Sequence, residues 1–253
     1  MKERGANSMG RMNKTGKVAI WITGFLLLAF LIQFPIQKSE TTWESWSLPL
    51  SGKTIVLDPG HGGPDGGAVG KDDTTEKEIA LDVAKKLQSY LQQSGALVYL
   101  TREEDKDLAA KDTKGLANRK SEDIRNRLKF IHDKKADFFV SIHLNALSAT
   151  QWHGAQSFYY PKMEESGHLA NMIQSEIIRN LENTDREALS INGVYLLKHA
   201  KVPGALVEIG FLSNEQELEL LKQEDYQRKL AGSIYKGILH YETKEPEEDS
   251  KAN

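Results

Sequence analysis

The sequence predicts an α/β fold: a single three-layer domain whose mixed, mostly parallel sheet of about six strands is flanked by helices, preceded by one N-terminal transmembrane helix. Three observations carry that expectation. From about Leu50 to Tyr241 short apolar runs alternate with amphipathic stretches, which is the pattern of strands and helices taking turns. Polar clusters rich in Gly, His and Glu follow or end several apolar runs, as ligand-binding loops do at the strand ends of open α/β sheets. Val18 to Ile36 reads VAIWITGFLLLAFLIQFPI without a charge.

That run is near the lower limit of the roughly 17 to 25 residues that cross a hydrocarbon core. Lys2, Arg4, Arg11, Lys14 and Lys17 precede it against the single acid Glu3, so the positive-inside rule leaves the N-terminus cytoplasmic and the rest outside. No small-residue cleavage site follows, because Phe34 to Lys38 is bulky; an uncleaved anchor is favoured over a cleaved signal peptide. The expected organisation is a basic leader at 1–17, an anchor at 18–36, a linker at 37–49, the catalytic domain at 50–241 and an acidic solvated tail at 242–253. Trp43 and Trp46 in the linker suit either lipid headgroups or the domain surface.

Strands are expected at Thr54 to Asp58, Leu97 to Thr101, Asp137 to Leu144, Gln156 to Tyr160, Val194 to Leu197 and Ala205 to Ile209. Ile79, Val83, Leu87 and Leu91 recur every fourth residue, which predicts a helix over Glu76 to Gln93 with one buried stripe. Thr75-x-x-Glu78 reads as its capping box and Gly95 as its stop. Further helices are expected near Leu116 to Lys134, Glu165 to Leu181, Asn214 to Leu221 and Tyr226 to Leu239.

Composition narrows the chemistry. A chain of 253 residues with 39% hydrophobic and 27% charged residues is neither fibrous nor disordered. Its net charge of -3 provides no basic field for a polyphosphate, so nucleic acid is not an expected partner. With no Cys, a metal site must be built from imidazole and carboxylate.

Three clusters supply those groups: DPGHGG at Asp58 to Gly63, SIHLNA at Ser141 to Ala146 and VEIGFLSN at Val207 to Asn214. They offer His61, His143 and Glu208, with Glu76 opening the helix after the first cluster. Two neutral imidazoles and one carboxylate form a known catalytic zinc set that leaves a position for water. His61 is set between Pro59-Gly60 and Gly62-Gly63, a backbone that lets another body approach closely. Strand alternation puts Phe139, Ser141, His143 and Asn145 on one side. If Glu78 is used in the capping box, Glu76 is the freer carboxylate. Glu208, inside an apolar strand, is either functional or half of a structural ion pair. Asn145 and His153 are candidates for substrate contact, whereas His132, His168, His199 and His240 read as surface residues. GGAVGK at Gly66 to Lys71 is refused as a phosphate loop, because its first Gly and final Ser/Thr positions fall on Asp65 and Asp72.

Together the clusters resemble the zinc-dependent N-acetylmuramoyl-L-alanine amidases, which carry DPGHGG, a Glu opening the next helix, SIHxNA and VExGFLSN. The longer strings WSLPLSGK, LDPGHGGPDGGAVG, GAQSFYY and LENTDRE resemble the sporulation-specific branch that acts on spore cortex peptidoglycan. The resemblance covers about Ser51 to Tyr241. It implies one Zn2+ per chain held by His61, Glu76 and His143, with Glu208 as catalytic acid/base and peptidoglycan as substrate. The expected protein is a monomer anchored by its N-terminal helix, with the catalytic domain outside the cytoplasm. A zinc peptidase cutting within the stem peptide, or a non-catalytic wall-binding scaffold, are the alternatives.

Overall fold

In a computed structural model of the chain, residues 14–33 and 48–243 are described. The chain divides into two units, Met1–Ser47 and Leu48–Asn253. In the first, helix α1 runs over Lys14–Gln33. Trp21, Phe25, Leu26 and Leu27 on it are exposed. Its uncharged part starts only at Val18, and at about 1.5 Å per residue the stretch from there to Gln33 spans roughly 24 Å against a hydrocarbon core of about 30 Å. Among the described residues no helix is long and apolar enough to cross a membrane. The transmembrane helix expected over 18–36 is therefore not supported by the described residues; Phe34 to Ile36, the linker tryptophans Trp43 and Trp46, the first part of the leader and all but the start of the tail lie outside them.

The second unit holds strands β1 (Thr54–Pro59), β2 (Leu97–Leu100), β3 (Phe138–Asn145), β4 (Gln156–Tyr159), β5 (Leu189–Ser190) and β6 (Gly204–Phe211). Its helices are α2 (Glu76–Gln93), α3 (Leu116–Asp133), α4 (Glu164–Leu181), α5 (Tyr195–His199), α6 (Glu215–Leu221) and α7 (Glu224–Thr243). Among the described residues the sheet runs β2-β1-β3-β6-β4-β5. β1, β2, β3 and β6 are mutually parallel, and β4 is antiparallel to β6. The mixed, mostly parallel sheet expected from the sequence is thus observed.

Alternation along the strands feeds two cores, which makes the domain three layers. Ile55, Leu57, Val140, Ile142 and Val207 face one way and pack with Ile79, Val83 and Leu87 of α2, Ile173 and Ile177 of α4, and Ile234 and Ile238 of α7. Val56, Phe139 and Leu206 face the other way, against Ile131 of α3 and Leu196 and Leu197 of α5. Each such side chain contributes about 1.5 to 3 kcal/mol by leaving water, so the sheet is clamped from both faces.

Two expectations are corrected. Val194 to Leu197 is not a strand: Leu196 and Leu197 are neighbours that face the same core, which the two-residue alternation of a strand forbids and a helical turn allows. The remaining strand is the short Leu189–Ser190. At α2, Thr75 is the N-cap but its side chain caps nothing, and its Oγ1 is buried without a hydrogen-bond partner among the described residues. Instead the amides of Glu76 and Lys77 donate to the carbonyls of Ala68 and Gly66. The preceding loop takes over part of the role expected of the capping box, and Glu78 is exposed.

Candidate metal centre

β1, β3 and β6 lie side by side in parallel, so the three polar clusters leave the sheet at one edge. His143 sits in β3 directly opposite Glu208 of β6. His61 follows β1, and Glu76 opens α2 beneath it. Ligand atoms of His61, Glu76 and His143 lie within 4.8 Å of one another. Both oxygens of Glu76 are engaged: Oε1 meets His143 Nδ1 at 2.8 Å and accepts from the Leu144 amide at 3.0 Å, while Oε2 lies 3.2 Å from His61 Nε2 and accepts from the Ala68 amide at 2.7 Å.

The loop that presents His61 is built for close approach. A Cβ on Gly60 would stand 2.4 Å from the His143 ring, and one on Gly67 would stand 2.4 Å from Glu76 Oε2 and 2.6 Å from His61 Cδ2. Only a residue without a side chain brings the backbone this near. His61 itself holds a left-handed backbone with φ 59°, a conformation costing about 1 to 2 kcal/mol outside glycine. Its surroundings fix it there. Asp65 Oδ2 meets His61 Nδ1 at 2.8 Å, and Lys120 pairs with the other oxygen of Asp65 at 2.7 Å.

Two buried arginines hold the loop from below. Arg127 of α3 donates to the carbonyls of Pro59 at 2.7 Å and His61 at 2.5 Å, and pairs with Asp58 and Asp123 at 2.8 Å each. Arg102 donates to the carbonyls of Pro59, Gly60 and Lys77. Burial, with the neighbouring Arg127 charge, lowers the Arg102 guanidinium to about 10, which leaves it charged. Asp58 is sealed from solvent and accepts from Thr101 and Ser141 as well. Burial works against its ionisation, but Arg127 and the two hydroxyls outweigh it and hold the carboxyl below its ordinary range.

The acids at the centre are driven apart. Burial opposes ionisation of Glu76, yet the hydrogen bonds from His143 and His61 prevail and keep it well below the usual carboxylate range. His61 is raised: burial lowers it, and Glu76 and Asp65 more than compensate. Glu208 goes the other way, pushed up to about 7 by burial, with His143 opposing and Glu76 reinforcing the shift. The residue is half-buried, but its Oε2 is sealed off with no hydrogen-bond partner among the described residues. Among the described residues it forms no ion pair with a basic side chain. The edge therefore combines a donor set of two imidazoles and a carboxylate, suited to zinc, with a second carboxyl whose ionisation is disfavoured by burial.

Other expected residues fare differently. Asn145 ends β3 half-buried, its carbonyl accepting from the Leu212 amide, and His153 is exposed in the β3–β4 loop with Glu217 as an electrostatic neighbour. Neither makes a hydrogen bond or ion pair with the trio among the described residues. His132, His168 and His240 are half-buried rather than surface groups: His132 Nε2 accepts from the Lys201 amide, His240 pairs with Glu176 at 3.1 Å, and His168 packs on Tyr241. His199 is exposed, as expected. Arg102, Arg127 and Asp65 had no place in the expected site. The available signal was an arginine spaced four residues after Asp123 and four before Ile131, on the face of the helix that is buried.

Comparison with known proteins gives a consistent answer. The family model described as N-acetylmuramoyl-L-alanine amidase matches residues 55–240. The chain is 52% identical over 232 residues to the germination-specific N-acetylmuramoyl-L-alanine amidase of Bacillus subtilis, covering 92% of this chain and 97% of that protein. It is 34% identical to the N-acetylmuramoyl-L-alanine amidase LytC of the same organism, of which it covers only 36%. Among solved structures it resembles the CwlD amidase from Clostridioides difficile, determined in complex with the GerS lipoprotein, with TM-score 0.73 and 44% identity over 75% of this chain and 98% of that one. The N-acetylmuramoyl-L-alanine amidase from Clostridium difficile 630 superposes with TM-score 0.66 at 31% identity, over 75% of this chain and 96% of that one.

Proposed function

The chain belongs to the N-acetylmuramoyl-L-alanine amidase family, and from that membership we propose how its residues divide the reaction: His61, Glu76 and His143 hold one zinc ion, and Glu208 moves the protons. The enzyme hydrolyses the amide between the lactyl group of N-acetylmuramic acid and the L-alanine of the peptidoglycan stem peptide. Zinc, when bound, supplies the charge that polarises a carbonyl and makes water more acidic. Glu208 accepts the proton of the attacking water as its oxygen bonds to the carbonyl carbon. The same carboxyl then delivers that proton to the nitrogen as the C–N bond breaks, so the stem peptide leaves as a neutral amine. Asp65 orients the His61 ring from behind, as carboxylates do for metal-bound imidazoles.

The observation that carries this division is the contrast between the two acids. Glu76 joins the two imidazoles with ligand atoms of the three within 4.8 Å of one another, as a metal ligand should, while Glu208 stands outside that trio, opposite His143 in the sheet, with Oε2 buried and without a hydrogen-bond partner among the described residues, a place from which a carboxyl can handle protons. For biological setting, the 52% identity to a germination-specific amidase supports spore cortex peptidoglycan as the substrate. The basic leader ahead of an apolar segment supports a domain working outside the cytoplasm. A solved relative described in complex with a lipoprotein accords with work at a membrane surface.

Mass spectrometry of peptidoglycan digested by the purified chain tests the bond. Released stem peptides should begin with a free L-alanine amine and leave a lactyl carboxylate on muramic acid. Products that retain the muramoyl-alanine bond would identify a peptidase instead.

A further inference from the structure

On the same sheet edge stands an aromatic ring that the proton chemistry leaves unused. Trp152, in the loop between β3 and β4, is 47% exposed. A lone exposed apolar residue needs no explanation, but this one is clamped. The Arg186 guanidinium lies over its ring, 5.8 Å from the centroid, and over the Phe211 ring at 5.2 Å. Arg186 also donates to the Gly154 carbonyl at 2.8 Å. Glu217 closes the clamp by accepting from the amides of Gly154 and Phe211, both at 2.8 Å.

The clamp ties the ring to the proton-handling strand. Phe211 lies on β6 just beyond Glu208, and Gln156, shortly after Trp152, is the register partner of Glu208 in the antiparallel pair. Trp152 therefore lies in the loop that leads into the strand paired with Glu208, with Arg186 over its ring and about half of the residue open to solvent. A pyranose ring offers a patch of C–H groups rimmed by hydroxyls, which matches an indole with its apolar body and polar tip. The lactyl group of the scissile amide is carried on such a ring, so a sugar has to come close to Glu208 whenever the reaction occurs.

We propose that Trp152 is a stacking platform for a pyranose ring of the glycan strand that bears the scissile amide. The platform makes the enzyme select sugar-bound alanine over free peptide amides. This inference rests on the amidase reading above.

Two measurements on the zinc-loaded full chain test it. With glycan strands carrying stem peptides, Trp152→Ala should raise KM about tenfold, equivalent to about 1.4 kcal/mol, with kcat within about twofold and zinc content unchanged. With peptide-free strands of alternating N-acetylglucosamine and N-acetylmuramic acid, the parent chain should show a saturable change in tryptophan fluorescence that Trp152→Phe abolishes. An unchanged KM in Trp152→Ala overturns the proposal, as does a fluorescence response that is absent from the parent or persists in Trp152→Phe. A parent chain that binds these strands yet leaves the muramoyl-alanine bond of the peptide-bearing strands intact would instead defeat the amidase reading. The fluorescence arm keeps the test valid should Trp152→Ala fail to fold.

Discussion

Glu208 is a carboxyl whose burial penalises its charge: among the described residues its Oε2 is sealed off without a hydrogen-bond partner, and burial pushes the group up to about 7 against the opposing influence of His143. Glu208→Gln keeps its size but cannot accept a proton. Turnover should fall by roughly 100- to 10,000-fold, the usual worth of a general acid–base, while bound zinc, measured on the same preparation, stays near one per chain. Loss of the metal together with activity would make Glu208 a ligand, and near-normal turnover would remove it from the mechanism. At this scale the sequence was informative about His61, Glu76, His143 and Glu208, because Gly-flanked or strand-end polar residues stand out against apolar runs. It was silent about Arg102, whose partners Pro59, Gly60 and Lys77 are distant in the chain and accept through their carbonyls, since backbone acceptors leave no trace in residue type; for Arg127 it offered only the four-residue spacing from Asp123.

The start of α2 shows how an element can be placed correctly for an incorrect reason. Its bounds, Glu76–Gln93, follow from the four-residue apolar recurrence, but the capping interaction is supplied by loop carbonyls instead of Thr75 and Glu78. Thr75→Val should therefore be neutral or slightly stabilising, since it removes a buried hydroxyl that has no partner. Glu78→Ala should alter stability by less than about 0.5 kcal/mol. Glu76→Ala, by contrast, should release the metal. Chemical denaturation and zinc analysis of the three variants check this, and an unstable Thr75→Val would restore the capping box. α5 marks the opposite case: four residues, Val194 to Leu197, are too few for periodicity to separate a strand from a helical turn, and only the shared burial of Leu196 and Leu197 decides it.

Across the whole domain, one buried polar knot joins β1, β3, β2's end and α3 through Asp58, Ser141, Thr101 and Arg127. The Asp58 carboxyl is lower in the folded chain than its unfolded value of about 3.9, so its contribution is complete above that pH and is lost as pH falls through the folded value. Stability of the parent chain should consequently drop below about pH 4 more steeply than that of Asp58→Asn, which lacks the titrating group. At pH 7 the variant should be the weaker by several kcal/mol, on the order of the 3 to 5 kcal/mol for stripping one partner from a buried pair. Urea unfolding of both chains at neutral and acid pH measures the two slopes, and parallel pH dependences would show that Asp58 does not titrate differently in the two states.

The order in which the site's parts occur along the chain has its own consequence for synthesis. His61, Glu76 and His143 all lie ahead of β4, whereas Glu208 and α7, which covers one face of the sheet, lie in the last part. Since a chain emerges from the ribosome N-terminus first, a nascent protein has all three proposed metal donors long before it has the proposed proton carrier. A product ending before β6 would lack Glu208 together with the strand that pairs with β3 and the core side chains of β6 and α7, so a wall-cutting activity should not precede completion of the chain.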